Sequence, residues 1–217
     1  MPYASTVADL VLHGPRVLGC ASTGRIAARF GLDEDEVEDL LLEFGTRRWV
    51  SHARFADTGG WYLTEDGKAE DERRMAKELD AADARTDLER VHADFVPLNV
   101  RFSRVTTDWQ VRPHHGDDLA ANDHTDWAWD DRVLRALTTL DRRFARVAGA
   151  AATALQRFDG YAARYSAALA KVDVGRRRWV DDPEVDSCHT VWIQFHEDLL
   201  ATLGIPRGDD DPPRPPS

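Results

Sequence analysis

The sequence predicts a mainly α protein: an N-terminal winged helix-turn-helix with a small β-hairpin wing, followed by an all-α bundle of the four-helix type. Three observations predict it. Ser22 to Val50 reads as two short helices joined at Gly31, with an apolar stripe at Ile26, Ala27 and Phe30 on the first and at Val37, Leu40, Leu41 and Phe44 on the second. Arg47 to Phe55 then alternates like a half-buried strand, Asp57-Thr58-Gly59-Gly60 reads as a turn, and Trp61-Tyr62-Leu63 returns as a second strand. Beyond Thr64 the periodicity is helical nearly to the end of the chain.

Taken in order, Ser5 to Leu12 forms a short amphipathic helix that Ser5 or Thr6 can cap and that Gly14-Pro15 stops, and Val17 and Leu18 are expected to pair with the wing as a short extra strand. Met75, Leu79 and Ala82 lead into a heptad seam at Leu88, Val91, Phe95, Leu98, Phe102, Val105 and Trp109, and Pro97 predicts a kink or break near Val96. Pro113 to Asp126 lacks periodicity and reads as a surface loop. A second seam runs from Val133 to Phe158 and is broken at Asp159-Gly160. A helix through Tyr161, Tyr165, Leu169 and Val172 ends at Gly175, and a last helix, apolar nearly all round, starts at Asp186 or Ser187 and stops at Gly204-Ile205-Pro206. The expected division is a winged-helix domain over residues 1–65, a connecting helix and bundle over 66–206, and a charged, proline-rich disordered tail over 207–217.

The order helix-turn-helix, hairpin, then Leu63-Thr64-Glu65-Asp66-Gly67 opening a helix resembles the MarR-like winged-helix transcriptional regulators, whose wing also ends in L-T-x-x-G. The phrases TDWQVRP, NDHTDWAWD and DSCHTVWIQFHEDLLATLG resemble a bacterial family of winged-helix proteins with a C-terminal helical bundle, described only as regulators. The resemblance implies DNA as a partner and a homodimer reading paired half-sites. It implies no ligand and no chemistry.

Composition bounds these readings. At 217 residues, 42% hydrophobic and 31% charged, the chain is an ordinary globular one. No apolar run reaches the length of a membrane span, and the opening MPYASTVADL lacks a basic segment followed by an apolar block, so a cytoplasmic protein without a signal peptide is expected. Cys20 and Cys188 are expected to be buried free thiols. The formal charge of −11 opposes nonspecific affinity for nucleic acid, and Met1 to Asp80 alone holds 10 Lys+Arg against 16 Asp+Glu. Even the expected reading head is acidic.

Its second helix begins Asp33-Glu34-Asp35-Glu36 and continues with Glu38 and Asp39. Carboxylates in a first helical turn neutralise its positive end, but they meet a phosphate-lined groove with the wrong sign. The candidate DNA-binding groups are therefore Arg25 and Arg29 on the first helix, Arg47 and Arg48 entering the wing, and His52 and Arg54 on one face of its strand. In the bundle, His189 and His196 fall on one side of the last helix, and Asp94, Asn99, Arg101 and Asp108 flank the seam of the long helix. Three readings stay open for that cluster. It is a satisfied structural network, a small-molecule effector pocket built on Asn99, Arg101, Asp108, His189 and His196, or a metal site on the two histidines and a carboxylate. No cofactor is implied. G-x-S-x-G, P-loop and G-x-G-x-x-G patterns do not occur, and His196-Glu197 lacks the second histidine of a zincin helix, so an enzyme is not expected. A second class of function is a protein-interaction module whose acidic helix docks on a basic partner.

Overall fold

The computed structural model describes residues 1–55, 58–114 and 116–208 and is mainly helical, with one two-stranded antiparallel hairpin. The elements run α1 (Val7–Leu18), α2 (Thr23–Phe30), α3 (Glu34–Thr46), β1 (Val50–Phe55), β2 (Thr58–Leu63), α4 (Glu65–Ala81), α5 (Arg85–Gln110), α6 (Trp127–Ala154), α7 (Tyr161–Asp173) and α8 (Cys188–Leu203). Single 3-10 turns lie at Gln156–Phe158 and Arg177–Trp179. No helix among the described residues is long and apolar enough to cross a membrane. The chain packs as two compact units. Of the described residues, one comprises Met1–Glu89, Ala152–Arg157 and 194–208, and the other comprises Arg90–Ala151 and Phe158–Ile193. The sequence division at residue 65 is a single cut, whereas the first unit takes in two later segments.

In the first unit, Thr6 caps α1, Ser22 caps α2 and Asp33 caps α3, each side chain accepting from backbone N–H groups two or three residues on. Gly31, at φ 67°, makes the left-handed turn between α2 and α3 that the sequence requires there. The two helices bury Ile26, Ala27, Val37, Leu41 and Phe44 against Val11 and Leu12 of α1 and Trp61 of β2.

Two expectations change in this region. Gly14-Pro15 does not stop α1, which runs on to Leu18, so Val17 and Leu18 are helical rather than a strand. Gly14 serves close approach instead: a Cβ there would lie 2.8 Å from a methyl of Ile26. Burial of Val11, Leu12 and Val17 compensates the backbone bond that Pro15 cannot make. The strand partner of the hairpin is Ala21, which exchanges backbone hydrogen bonds with Trp61 (3.1 and 2.8 Å). The turn expected over residues 57–60 is also revised, since Thr58, Gly59 and Gly60 pair with Phe55, Arg54 and Ala53, while Asp57 lies outside the described residues.

The start of α4 explains the L-T-x-x-G pattern. Thr64 Oγ1 accepts from the Gly67 N–H (3.0 Å) and donates to the Arg48 carbonyl (2.5 Å), fastening the helix to the entry of β1. A Cβ on Gly67 would fall 1.8 Å from the Trp49 carbonyl oxygen, so only glycine fits. The long helix expected from Thr64 breaks at Asp83, at φ 48°, with Ala84 N–H closing on the Leu79 carbonyl (3.2 Å). Pro97, where the break was expected, stays inside α5.

The second unit is built around Trp192. Its indole stacks on Phe102 (4.2 Å between centroids, 5° between planes) and on Phe144 (4.8 Å), with Phe95 at 5.2 Å and Tyr165 at 5.9 Å. The 111–126 segment is tied down more than a free surface loop, with bridges Val111–Ala121 and His114–Asp117 and with Asn122 and His124 both bonded to buried Asp130. His115 lies outside the described residues, as do 209–217 of the expected tail. Cys20 is exposed, against expectation, and Cys188 is buried, its thiol pushed up to about 12 by burial.

Gly67→Ala is expected to destabilise the protein by about 3 kcal/mol or more through overpacking. Gly149→Ala, an exposed helical site with nothing within 4 Å of the new Cβ, is expected to stabilise it by up to about 1 kcal/mol. Urea denaturation of the two variants checks the pair.

Candidate functional site

The exposed surface of the α2–α3 and hairpin region carries the predicted basic groups unequally. Arg25, Arg48, His52 and Arg54 are exposed, and the three arginines form no ion pair among the described residues. Arg48 takes a left-handed backbone at φ 60°, and His52 meets the Trp61 ring edge-on at 5.0 Å. Arg47 is engaged: it pairs with Glu43 (2.5 Å) and lies over the Trp49 ring. Arg29 is engaged too, because its guanidinium donates to the Arg157 carbonyl (3.2 Å), which removes it from the groups free to meet a ligand.

The acidic α3 is partly neutralised locally. Asp33 accepts from the Asp35 and Glu36 N–H groups, Glu38 accepts from Thr23 Oγ1, and Glu43 holds Arg47. Glu34, Asp35, Glu36 and Asp39 remain exposed on this helix, together with Leu42 at 52%. No lysine or arginine lies within α3.

Beneath this surface the first unit contains a charged network that sequence reasoning missed. His13 of α1 is fully buried, with Nδ1 3.0 Å from Asp71 of α4 and Nε2 3.2 Å from Asp198 of α8. Both ring nitrogens of His13 thus face a carboxylate oxygen. Arg157 pairs with Asp198, donates to Glu78 of α4 (3.0 Å) and reaches Thr202 of α8 (2.5 Å), while Ser5 donates to Glu78. Three carboxylates, one guanidinium and one imidazole thus lie out of water, tolerable only because each polar atom faces a partner. The sequence held one signal: Glu197, Asp198 and Thr202 are polar positions on a largely apolar helix, and buried polar residues need partners.

Nearby in the same unit, Tyr3, Asp9, Arg73, Arg74 and Lys77 line a cleft of about 300 Å³. Its arginines are matched. Arg74 sits between Asp9 (3.0 Å) and Glu70 (2.7 Å), and Arg73 also binds Glu70, so the two guanidiniums, Arg73 foremost, hold the Glu70 carboxyl down at about 2.

The five residues proposed as a bundle cluster take separate settings. Asn99 accepts from the Trp192 indole (2.9 Å), and the Asp108 carbonyl accepts from the Trp129 indole (2.6 Å). His189 stacks on Phe102, and burial holds its pKa below the ordinary 6.5. His196 belongs to the first unit, whereas His189 belongs to the second. Arg101 is exposed and lines a cleft with Arg143 and Arg146. Among the described residues, no group of three or more His, Cys, Asp or Glu is placed to hold a metal ion.

Compared with family models, with curated proteins and with solved structures, the chain matches none.

Arg157→Met strands Glu78 and Asp198 without their cation, and is expected to cost about 3–5 kcal/mol, read as a lowered denaturation midpoint. A pH series tests His189. Its lowered pKa means that the unfolded chain takes up the proton first, so stability falls as pH drops below about 6.5 and the loss is complete below the folded pKa. In urea titrations from about pH 7.5 to about pH 5, His189→Gln is expected to lose less stability than the parent.

Proposed function

We propose that this chain is a transcriptional regulator of the winged helix-turn-helix type that meets DNA through α2 and the hairpin rather than through the exposed face of α3. The observation that carries this reading is the set of exposed Arg25, Arg48 and Arg54, without an ion pair among the described residues, in the unit that holds the tight α2–α3 turn. Contacts of this kind act on phosphates and position a protein without reading bases. The elements also follow the order of such domains: three helices with a left-handed turn at Gly31, a hairpin extended by Ala21, and a helix rooted on the Trp49 carbonyl. Three guanidiniums are few against the acidic surface of α3. A homodimer doubles them on paired half-sites, and the second unit is the part available for pairing and for sensing an effector.

A second reading has its own support. Exposed Glu34, Asp35, Glu36 and Asp39, with half-exposed Leu42 on the same helix, suit a basic protein surface better than a phosphate backbone.

Enrichment of fragmented genomic DNA by the full-length protein at about 50 mM salt, followed by anisotropy titrations of the recovered fragments, tests the first reading. Saturable binding is expected, and the Arg48→Gln/Arg54→Gln variant is expected to flatten the dependence of log K on log salt by about two per bound protomer, about four for a dimer on paired half-sites. Absence of saturable binding at low salt, or an unchanged slope, sets DNA aside in favour of the protein partner.

A further inference from the structure

In the second unit, α5 and α6 each turn one heptad face inward, and Val91, Leu98 and Val147 are almost fully covered. Outside that line the helices leave a cleft of about 430 Å³, whose floor is the edges of these three side chains. Arg101 of α5 and Arg143 and Arg146 of α6 form its rim, with Asp94 as its one carboxylate. Asp94, Leu98 and Arg101 follow one another at four and three residues on α5, as Arg143, Arg146 and Ala150 do at three and four on α6, so each set shares a helix face.

The cleft gathers three arginines against one carboxylate. Many of the chain's other arginines are matched by carboxylates, as in Arg16–Glu197, Arg112–Asp123 and Arg164–Asp186. Arg101, Arg143 and Arg146 are exposed and form no ion pair among the described residues, although the chain as a whole carries −11. Three guanidiniums over an apolar floor repel one another until an anion joins them. Their planar donor forks suit tetrahedral phosphate oxygens, and the formal excess of two positive charges over Asp94 equals the charge of a fully ionised phosphate monoester. The volume lies within the range of small-molecule sites, and inorganic phosphate alone leaves the apolar floor uncovered.

We propose that the α5–α6 cleft binds a phosphate monoester carrying a short hydrocarbon or aryl group, with Arg101, Arg143 and Arg146 on the phosphate and Val91, Leu98 and Val147 under the apolar part. The same headgroup chemistry occurs in a soluble metabolite and in a phosphatidic acid surface. The inference stands apart from the DNA reading, since none of its residues lies in the first unit.

The test is calorimetry of the full-length chain with phenyl phosphate, inorganic phosphate and phenol, alongside cosedimentation with phosphatidylcholine vesicles with and without phosphatidic acid. Saturable phenyl phosphate binding is expected, on the order of tenfold tighter than inorganic phosphate and on the order of tenfold weaker in the Arg101→Gln/Arg143→Gln/Arg146→Gln variant. Arg104→Gln, an exposed change on α5 outside the cleft, is expected to leave it unchanged. Binding only to phosphatidic acid vesicles, lost in the triple variant, assigns the lipid source and supports the site. The proposal is overturned if neither probe binds, if inorganic phosphate binds as tightly as phenyl phosphate, or if the triple variant binds undiminished.

Discussion

Arg157 is the group on which the first unit depends. It follows α6 in the chain, yet its guanidinium is buried among Glu78 of α4, Asp198 of α8 and Thr202 of α8, and its carbonyl receives Arg29 of α2. Through Asp198 the network continues to His13 of α1 and then to Asp71 of α4. Apolar packing alone tolerates small slips of one helix past another. Buried charges do not, because each slip leaves an ion without its partner in a medium that cannot replace water. Segments distant in sequence therefore belong to one compact unit, and its stability rests on a fixed set of pairings.

The α2–α3 pair and the hairpin could be read from sequence because their determinants are local: Gly31 at the turn, caps at Ser22 and Asp33, and stripes at Ile26, Ala27, Val37, Leu41 and Phe44. Gly14-Pro15 misled for the converse reason. Local punctuation says stop, but burial of Val11, Leu12 and Val17 keeps α1 going, and tertiary packing outweighs propensity. Asp83 gave no sign of its left-handed backbone, since glycine or asparagine is the usual residue there. The pairings of the charged network were illegible because periodicity shows which face is buried, never which distant ion meets which. His189 and His196, seven apart, do share a side of α8, but that helix contributes residues to both units.

The two units treat their cations differently. In the first, most arginines are spent on carboxylates, as at Glu70, Asp9 and Glu197, which leaves Arg25, Arg48 and Arg54 as the open exceptions. In the second, three arginines without an ion pair among the described residues gather over an apolar floor between α5 and α6. Net charge describes neither surface well. A chain at −11 can still present local positive potential, because pairing removes some charges from play and leaves others exposed.

The Thr64–Gly67 joint bears on what a short motif can tell. Threonine is required there as a cap that also reaches the start of β1, and glycine because the helix backbone abuts a carbonyl oxygen. Both demands come from joinery at the corner between sheet and helix. Any domain that turns this corner the same way must spell it with the same letters, whatever it binds, so the pattern is a mark of carpentry and carries no vote on the ligand.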